Sequence, residues 1–359
     1  MGTYINTKEI LGEQAAQDAL IAHGLTDFTD SDVTELRTYA FYNQSQMLNV
    51  TLPNLTTIRS NAFRDCSALK RLRVGLEKNS LCSLSSINAL QNTGRAIIFV
   101  PPNLVSNYRS ATNWSTYMNR IYGDGDSSAP EWDESEITDT ESEIATRVAN
   151  GTAASFYKLG QYKSIDFGTL GFLPMQIIGI NKDELSSGND YAQLTWFPMI
   201  LSSSGHRMNP SISGTTQGTG SIGGWEYSEM RTYLNDEVWP LIPETWRNII
   251  KSVKKYSRIY NTSGQVENDV LTNDMIWIPS SREMGFPGAN VETLGPVYDL
   301  AFFQDGHRIR KRIGSSNGIT WWLRSAANTT YNFACVNAGG ISSGNNSTTS
   351  NYVGFGFCT

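Results

Sequence analysis

Apolar positions recur at a fixed spacing in the amino-terminal third of the chain. Residues 35–54 read ELRTYAFYNQSQMLNVTLPN, and residues 57–76 read TIRSNAFRDCSALKRLRVGL. A period in the twenties with apolar residues at fixed offsets predicts a solenoid, in which each turn buries its hydrophobic ridge against the next. A third, looser copy, SLSSINALQNT, has Ala89 and Leu90 in the Ala-Phe position. At an offset of 22 residues the matched pairs are Leu36 and Ile58, Ala40 and Ala62, Phe41 and Phe63, Met47 and Leu69, Val50 and Leu72, and Leu52 and Val74.

The repeats are followed by a cap and then by an acidic stretch. The segment IIFVPPNLVSNYRSATNWSTYMNRIYGD predicts a strand, a Pro-Pro turn and an amphipathic helix that closes the repeats. GDGDSSAPEWDESEITDTESE then concentrates Gly, Asp, Ser, Pro and Glu, which predicts a solvated linker that leads into a short helix near 141–148. Acidic loops are usually only solvated, so we do not assign a cation site to this run.

From residue 150 onward the pattern changes to short strands and helices. FYKLGQYKSIDFG, FLPMQIIGINKDEL and NDMIWIPSSREMG predict strands, and LTWFPMIL predicts a buried strand. Between them, Ser228 can cap a helix that carries Met230, Tyr233, Leu234 and Val238 on one face. After Pro243 a second helix is expected to bring Trp246, Ile249, Ile250 and Val253 together. Strands, then helices, then strands favour an α+β domain over a parallel sheet.

The carboxyl-terminal segment alternates in the manner of a sheet. Residues 321–323 (WWL) predict an apolar strand, with Arg324 available to pair with a buried acid or carbonyl group. YNFACVN, AGG and ISSGNN together predict a hairpin. Alternation puts Ala334 and Val336 on one face and Tyr331, Phe333 and Cys335 on the other, and we expect the second, aromatic face to point outward. The final YVGFGFC predicts a last strand that returns to the sheet.

Composition limits the classes of partner. The chain has 359 residues and a formal net charge of -6, so two or three domains are expected, and no basic patch is available for a nucleic acid. Apolar runs long enough for a membrane span are missing from the sequence, and MGTYINTKEI lacks the features of a signal peptide. We therefore expect a soluble protein that is synthesised in a cytoplasm without a signal peptide.

Catalytic and metal-binding patterns are weak. Cys66, Cys82, Cys335 and Cys358 are far apart and show no Cys-x-x-Cys spacing, so we read them as buried or incidental thiols. The three histidines, His23, His206 and His307, are scattered and belong to no known hydrolase or metalloprotease motif. We accordingly predict no enzymatic activity, no cofactor and no metal ligand set.

Two resemblances add to these inferences. The repeat spacing and the AF-x-x-C-x-x-L pattern around Phe63, Cys66 and Leu69 resemble BspA-type leucine-rich repeats over about residues 32–122, and the cap is similar to that of repeat modules in phage virion proteins. GGWEYSEMRTYLNDEVWPLIPETWRNIIKSVKKY, MIWIPSSREMGF and WWLRSAA resemble an uncharacterised bacterial and phage domain related to C-type lectin and formylglycine-generating-enzyme folds, over about residues 150–359. The chain departs from that pattern at 354–357, where Gly-Phe-Gly-Phe stands in place of a Gly-Val-Arg-Pro-like strand.

These resemblances imply a domain plan. The expected fold class is α+β, with a short leucine-rich-repeat solenoid followed by a C-type-lectin-like domain. The predicted boundaries are 1–123 for the repeat domain with a helical amino-terminal segment and a carboxyl-terminal cap, 124–149 for the acidic linker, and 150–359 for a ligand-binding domain.

The last segment also resembles the variable proteins of diversity-generating retroelements. From Ala326 to Tyr352, sixteen of twenty-seven residues are Asn, Ser, Thr or Tyr. Randomised AAC codons can yield every residue type in this window, but not Lys, Glu, Gln, Met or Trp; Asp, His and Arg, which they can also yield, are absent. Tyr with small polar residues is also the chemistry of antibody-like binding surfaces, although any polar sheet rich in loops has a similar composition.

The implied function is a non-enzymatic receptor-binding protein of a phage tail. Its expected partners are a host-surface protein or glycan and, through the amino-terminal domain, other virion proteins, with a homo-oligomer giving avidity. Trp321, Trp322 and Arg324 are expected to form the scaffold. The predicted ligand-binding residues are Asn328, Thr329, Thr330, Tyr331, Asn332, Phe333, Cys335, Ser342, Ser343, Asn345, Asn346, Ser347, Thr348, Ser350, Asn351 and Tyr352.

Three alternatives remain open at the level of sequence. The protein can be a structural virion or cell-surface module with fixed specificity. Formylglycine-generating relatives use a cysteine pair for oxidation, which brings Cys335 and Cys358 into consideration, although no basic residue lies near either in sequence to lower a thiol pKa. A calcium-dependent lectin needs clustered oxygen ligands, for which Asn268-Asp269 and Asn273-Asp274 are the candidates.

Overall fold

The computed structural model describes residues 10–22, 24–93, 96–126, 129, 133–286, 291–298 and 308–359. These residues form two compact units, the first ending at residue 129 and the second beginning at residue 133. The architecture is mixed α/β, with many strands in several sheets and few helices among the described residues. His23 and His307 lie outside them.

The first unit consists of two parallel sheets. One sheet has the order β1-β3-β5-β7 and the other β2-β4-β6-β8-β9. The bounds are β1 Ile10–Leu11, α1 Glu13–Ala22, β2 Asp27–Thr29, β3 Glu35–Leu36, β4 Asn49–Leu52, β5 Thr57–Ile58, β6 Arg71–Val74, β7 Ser83–Leu84, β8 Ile97–Val100, α2 Val105–Ser110 and β9 Ile121–Gly123, with 3₁₀ turns at Ile87–Leu90, Pro102–Leu104 and Trp114–Arg120.

The 22-residue offset of the sequence is also the offset of the strand pairing. Leu36 lies opposite Ile58, and Val50 lies opposite Leu72. Phe41 stacks on Phe63 with ring centroids 5.4 Å apart. Because equivalent apolar side chains of successive copies are stacked and buried, one continuous core runs through the unit.

The second unit is built mostly of antiparallel strands. Its two larger sheets have the orders β10-β11-β12-β23-β17 and β14-β22-β19-β20-β21, and β15-β16 and β13-β18 form smaller ones. The bounds are α3 Glu141–Ala149, α4 Ala153–Phe156, β10 Tyr162–Asp166, β11 Phe172–Ile180, β12 Leu194–Pro198, β13 Ile200–Leu201, β14 Gly205–His206, α5 Glu229–Tyr233, α6 Glu244–Arg247, β15 Val253–Tyr260, β16 Val266–Asp274, β17 Ile276–Trp277, β18 Lys311–Arg312, β19 Trp321–Ala326, β20 Asn332–Val336, β21 Ser342–Asn346, β22 Asn351–Tyr352 and β23 Gly356–Cys358.

Several local predictions for this unit are confirmed. Ser228 caps α5, since its hydroxyl accepts a hydrogen bond from the Arg231 N–H at 3.1 Å. Helix α3 begins at a capping box in which the Thr140 hydroxyl and the Glu143 carboxylate satisfy each other's backbone N–H groups. The last strand, β23, returns to the sheet between β12 and β17.

The helix expected after Pro243 is shorter than predicted. It ends at Arg247, and Val253 instead opens strand β15, where it pairs with Asp274. Trp246, Ile250 and Val253 are buried nonetheless. The apolar spacing that fits one face of a helix belongs here to one helical turn and a strand, because the next strand in the chain, β16, forms the backbone hydrogen bonds of β15.

None of the helices among the described residues is long and apolar enough to cross a membrane.

The contribution of the repeat core to the stability of the first unit can be tested by mutation. Leu72 is fully buried in β6, between β4 and β8. We expect Leu72→Ala to destabilise the first unit by about 2–5 kcal/mol, because it removes buried methyl groups and leaves a cavity. Hydrogen exchange of β4, β6 and β8 in the full chain measures the loss of protection.

Ser83→Ala is the matched control, since Ser83 is an exposed strand residue of the same unit. It should change stability by less than about 0.5 kcal/mol. Equal protection in Leu72→Ala and the wild type would contradict the proposed core.

Candidate functional site

The predicted ligand-binding segment forms one edge of a sheet. Strands β20 and β21 pair as an antiparallel hairpin, with Phe333 opposite Asn345 and Val336 opposite Ser342. β21 is the last strand of its sheet in the part of the chain that the structure describes. The hairpin predicted for YNFACVN-AGG-ISSGNN is therefore confirmed, and its outer strand carries mainly Ser, Gly and Asn.

Burial divides the predicted residues into three groups. The exposed ones are Asn328, Tyr331, Ser342, Ser343, Thr348 and Ser350, and the half-buried ones are Thr329, Thr330, Asn332, Asn345, Asn346 and Tyr352. The buried ones are Phe333, Cys335, Ser347 and Asn351. The first two groups form what we call the hairpin face.

The expectation that Phe333 and Cys335 point outward is wrong. Both side chains are 0% exposed, and Ala334 and Val336 on the opposite face are buried as well. Strand β20 lies between β19 and β21, and the burial of residues that alternate along it shows that both of its faces are covered by packing. The alternation of residues along the strand correctly predicts which side chains share a face. It does not predict that the side chains of Phe333, Ala334, Cys335 and Val336 are all buried.

Ser347 and Asn351 hold the segment in place, and their buried side chains are not available to a ligand. The Ser347 backbone N–H donates to the Tyr331 carbonyl at 3.0 Å, and its hydroxyl donates to the Ser211 carbonyl at 3.2 Å. Asn351 Oδ1 accepts a hydrogen bond from Asn345 Nδ2 at 3.2 Å. These contacts fix the path of residues 345–351 beneath the exposed side chains.

Some of the asparagines shape turns. Asn337 Oδ1 accepts the N–H groups of Gly339 and Ile341 at 2.9 and 3.1 Å, which closes the hairpin loop. Asn346 Oδ1 likewise accepts the backbone N–H and the hydroxyl of Thr348. Asparagine is typical of such turns because its side chain can mimic a backbone acceptor.

Residues 202–221 also border the hairpin face, and the sequence analysis did not identify them. The Ser221 N–H donates to the Thr330 carbonyl at 2.7 Å, and its hydroxyl donates to the Thr329 carbonyl at 3.0 Å. At Gly220, with φ of +55°, a Cβ would overlap the Thr330 carbonyl oxygen, so the close approach requires glycine. The available signal was composition, because SSSGHRMNPSISGTTQGTG is as rich in Ser, Thr and Gly as the segment itself.

The hairpin face has no charged side chain of its own, and its cationic neighbour Arg312 lies 6.0 Å from the centroid of the Tyr352 ring. After Arg324 the sequence has no charged residue. Beside β14, the Arg207 Nε donates to both Glu229 carboxylate oxygens at 3.1 and 3.0 Å, and the His206 ring stacks on Tyr233 at 3.9 Å between centroids. Contact at the hairpin face therefore depends on hydrogen bonds and on apolar area such as the Tyr331 ring, which is 45% exposed.

The predicted scaffold residues are all buried in β19. The indole N–H of Trp321 donates to the Arg308 carbonyl at 3.1 Å, and that of Trp322 donates to the His206 carbonyl at 2.8 Å. Arg324 pairs with a buried acid, as expected: its guanidinium donates to both Glu283 oxygens at 2.6 and 2.8 Å. Such a planar, bidentate contact fixes the strand against the turn after β17.

Glu283 is ionised in this setting. Burial alone would raise the pKa of its carboxyl group, but the positive charges of Arg324 and Lys255 outweigh burial and lower that pKa to about 2. A buried carboxylate with two cationic partners remains charged over the whole neutral range.

The cysteine pair does not have the features of a reactive site. Burial raises the pKa of the Cys335 thiol to about 11 and that of Cys358 well above its usual value. Cys335 lies in β20 and Cys358 in β23, which belong to different sheets, and all four cysteines are free thiols. Thiols of this kind are protonated at neutral pH and are poor nucleophiles.

The aspartates of the two candidate calcium-binding pairs, Asn268-Asp269 and Asn273-Asp274, already have protein partners. Asp269 accepts the N–H groups of Thr293 and Leu294 at 2.7 and 2.8 Å. Asp274 accepts from Trp225 Nε1 at 3.0 Å and from Arg231 Nε at 2.7 Å. Within the described residues, no group of three or more His, Cys, Asp or Glu side chains is arranged to hold a metal ion.

A cavity of about 300 Å³ lies elsewhere in the second unit. Its lining residues are Lys182, Glu184, Tyr191, Lys254, Tyr256, Leu294, Gly295 and Pro296. None of the lining residues that the structure describes comes from the segment 326–352. The cavity is therefore a second surface that a ligand could use, separate from the hairpin face.

Comparison with known proteins gives one partial match. Residues 212–353 match DUF6273, a domain of unknown function. The matched range runs from the loop before α5 to the residue after β22 and includes Glu283, Arg324 and the whole hairpin. No curated protein matches the chain.

The ion pair beneath the face provides the second test. We expect Glu283→Gln to lower the free energy of unfolding by about 3–5 kcal/mol at pH 7, because it leaves the buried Arg324 without its acidic partner and leaves Lys255 with Asp183 alone. The pKa of Glu283 is lowered on folding, so the carboxylate stabilises the protein fully above its ordinary pKa of 4.5, and this contribution is lost as the pH falls through about 2. The difference in the free energy of unfolding between the wild type and Glu283→Gln should therefore become smaller as the pH falls from 4.5 toward 2.

Denaturant titrations at several pH values measure this gap. Glu226→Gln, at an exposed position of the same unit, is the control and should show little change at any pH. A gap that stays constant from pH 7 to pH 3 would show that the ionised carboxylate is not the source of the stabilisation.

Proposed function

We propose that this chain is a non-enzymatic receptor-binding protein, a component of a phage tail that contacts the host surface through the hairpin face. The observation that carries the proposal is a contrast within the segment: Trp321, Trp322 and Arg324 are fixed in a buried strand, while Tyr331, Ser343 and Thr348 are exposed and uncharged. A binding surface needs such a rigid base under adaptable side chains.

The chemistry of the face supports recognition rather than catalysis. Tyrosine offers a large contact area at low cost in conformational entropy, and Ser, Asn and Thr can adjust their hydrogen bonds to a protein or to a glycan. Buried thiols with raised pKa values argue against an oxidase that uses Cys335 and Cys358. The ligand class that fits is a neutral, polar host-surface protein or glycan.

A specific fold for each of the two units is also part of the proposal. We propose a short leucine-rich-repeat solenoid for the first unit and a C-type-lectin-like fold for the second. The parallel pairing at the 22-residue sequence offset supports the former. The antiparallel sheets closed by the terminal strand β23 are compatible with the latter.

In this proposal the two units have different partners. The repeat unit would attach the protein to other virion proteins, and the second unit would face the host. Several copies on one tail would convert weak single contacts into strong attachment.

We further propose that a retroelement diversifies residues 326–352. The residue types of this window are those reachable from randomised AAC codons. Most of the predicted binding positions are exposed or half-buried, so they can change without a large cost in stability.

Binding should depend on the hairpin face and not on the cavity. We expect Tyr331→Ala to weaken attachment of the full chain to whole bacterial cells or to bacterial surface glycans on an array by at least about tenfold, as for an aromatic hot-spot residue. Tyr191→Ala is the matched control, since Tyr191 is an exposed tyrosine that lines the cavity. Both variants should melt close to the wild type.

The pair of variants separates the two surfaces. Loss of binding in Tyr191→Ala with none in Tyr331→Ala would move the site to the cavity. A fall in melting temperature for Tyr331→Ala would instead identify it as a structural residue.

Diversification makes a separate prediction about natural sequence variation. Deep sequencing of the gene from one population should show substitutions concentrated at template adenines in codons 326–352, most of all at exposed positions such as Tyr331, Ser343 and Thr348. Codons for Trp321, Trp322 and Arg324 should be constant. Even variation along the whole gene would remove the retroelement and leave a protein of fixed specificity.

A further inference from the structure

A lysine is buried completely beneath the second unit's sheets. Lys255, in β15, is 0% exposed, and its Nζ lies 2.5 Å from Asp183 Oδ1 and 3.1 Å from Glu283 Oε1. The ammonium group also sits 3.4 Å from the centroid of the buried Trp277 ring. Water is therefore excluded from the contact between an amine and a carboxyl group.

The carboxyl group of Asp183 is held by hydroxyl donors. The Tyr298 hydroxyl lies 3.0 Å from Oδ1 and 3.3 Å from Oδ2, and the Thr195 hydroxyl donates to Oδ2. Asp183 and Tyr298 are themselves 0% exposed. Donors aimed at both oxygens stabilise negative charge that would develop on them during attack at the carboxyl carbon.

The four charges of this cluster cancel. Lys255 and Arg324 are the cations, and Asp183 and Glu283 are the anions. A proton can pass from Lys255 to Asp183 along their 2.5 Å contact without changing the net charge of the cluster. The product of that transfer is a neutral amine next to a protonated carboxyl group, the two reactants of amide formation.

We propose that Lys255 and Asp183 condense to an intramolecular amide bond. Lys255 Nζ attacks the Asp183 carboxyl carbon, an Nζ–Cγ bond forms, and the Cγ–Oδ1 bond breaks. Of the three protons on the ammonium group, one stays on the amide nitrogen and two leave with the oxygen as water. The positive and negative charges of the pair are both lost, so the step balances without an oxidant, a reductant or any other reactant.

Glu283 is the positioning group of this step. Its Oε1 accepts a hydrogen bond from Nζ at 3.1 Å and so fixes the nitrogen beside the Asp183 carboxyl group. The bidentate contact with Arg324 fixes the carboxylate in that position. Holding the reacting groups together, with no competing water, is the main requirement for such a reaction.

The surroundings also suit the product. The new amide N–H would donate to Glu283, and the retained Oδ2 would accept from Thr195 as an amide carbonyl oxygen. Each polar atom of the bond would then have a partner that is already in place. The bond would join β15 to the connection between β11 and β12 across a separation of 72 residues.

Intact-mass measurement of the purified, denatured full chain tests the proposal. We expect a mass lower by one water molecule than that of the same chain with no cross-link. Digestion should give a branched peptide that joins Asp183 to Lys255 and resists trypsin after Lys255. Lys255→Arg keeps the positive charge but cannot condense, so it should have the full mass.

Lys254→Arg is the matched control, because Lys254 is the neighbouring lysine, paired with Glu184 and partly exposed. This variant should retain the loss of water. A wild-type protein with the full mass would overturn the proposal, even if every variant failed to fold. A loss of water that persists in Lys255→Arg, or that maps to other residues, would overturn it as well.

Discussion

The second unit depends on the compensation of charge in its interior. Lys255, Arg324 and Glu283 are each at most 1% exposed, and taking any one of them out of water alone would cost several kcal/mol. Glu283 is tolerated because it accepts hydrogen bonds from both Arg324 and Lys255, and Lys255 has Asp183 as a second acidic partner. This requirement ties β15, β19 and the turn after β17 to a single relative placement, since a small displacement of one strand would leave an ion without its partner.

The hairpin face is rigid because β15, β19 and the turn after β17 are fixed relative to one another. Arg324 belongs to β19, and β19 is the strand on which the hairpin is built. Ser347 and Ser221 then fasten residues 329–347 to the neighbouring loop through backbone groups. The exposed side chains contribute little to these contacts, so the segment can carry changeable residues on a backbone whose course is set by others.

Local patterns were readable from the sequence, and long-range ones were not. The 22-residue offset, the terminal hairpin and the last strand follow from periodicity and turn residues that lie close together in the chain. The burial of Phe333 and Cys335 depends on what packs against the faces of the sheet, and the strand at Val253 depends on its pairing with β16. The local pattern of apolar residues contains neither relation. The contact between Asp183 and Lys255 joins residues 72 positions apart, and in the sequence each looks like an ordinary surface charge.

The absence of charge after Arg324 also has a kinetic consequence. Long-range electrostatic steering can raise association rates by orders of magnitude when the charges of the two partners are complementary. A neutral hairpin face would meet its ligand at the unassisted rate of about 10⁵–10⁶ M⁻¹s⁻¹. The hairpin face itself would add little to the dependence of the association rate on ionic strength, so any such dependence would come from the rest of the chain, whose formal net charge is -6.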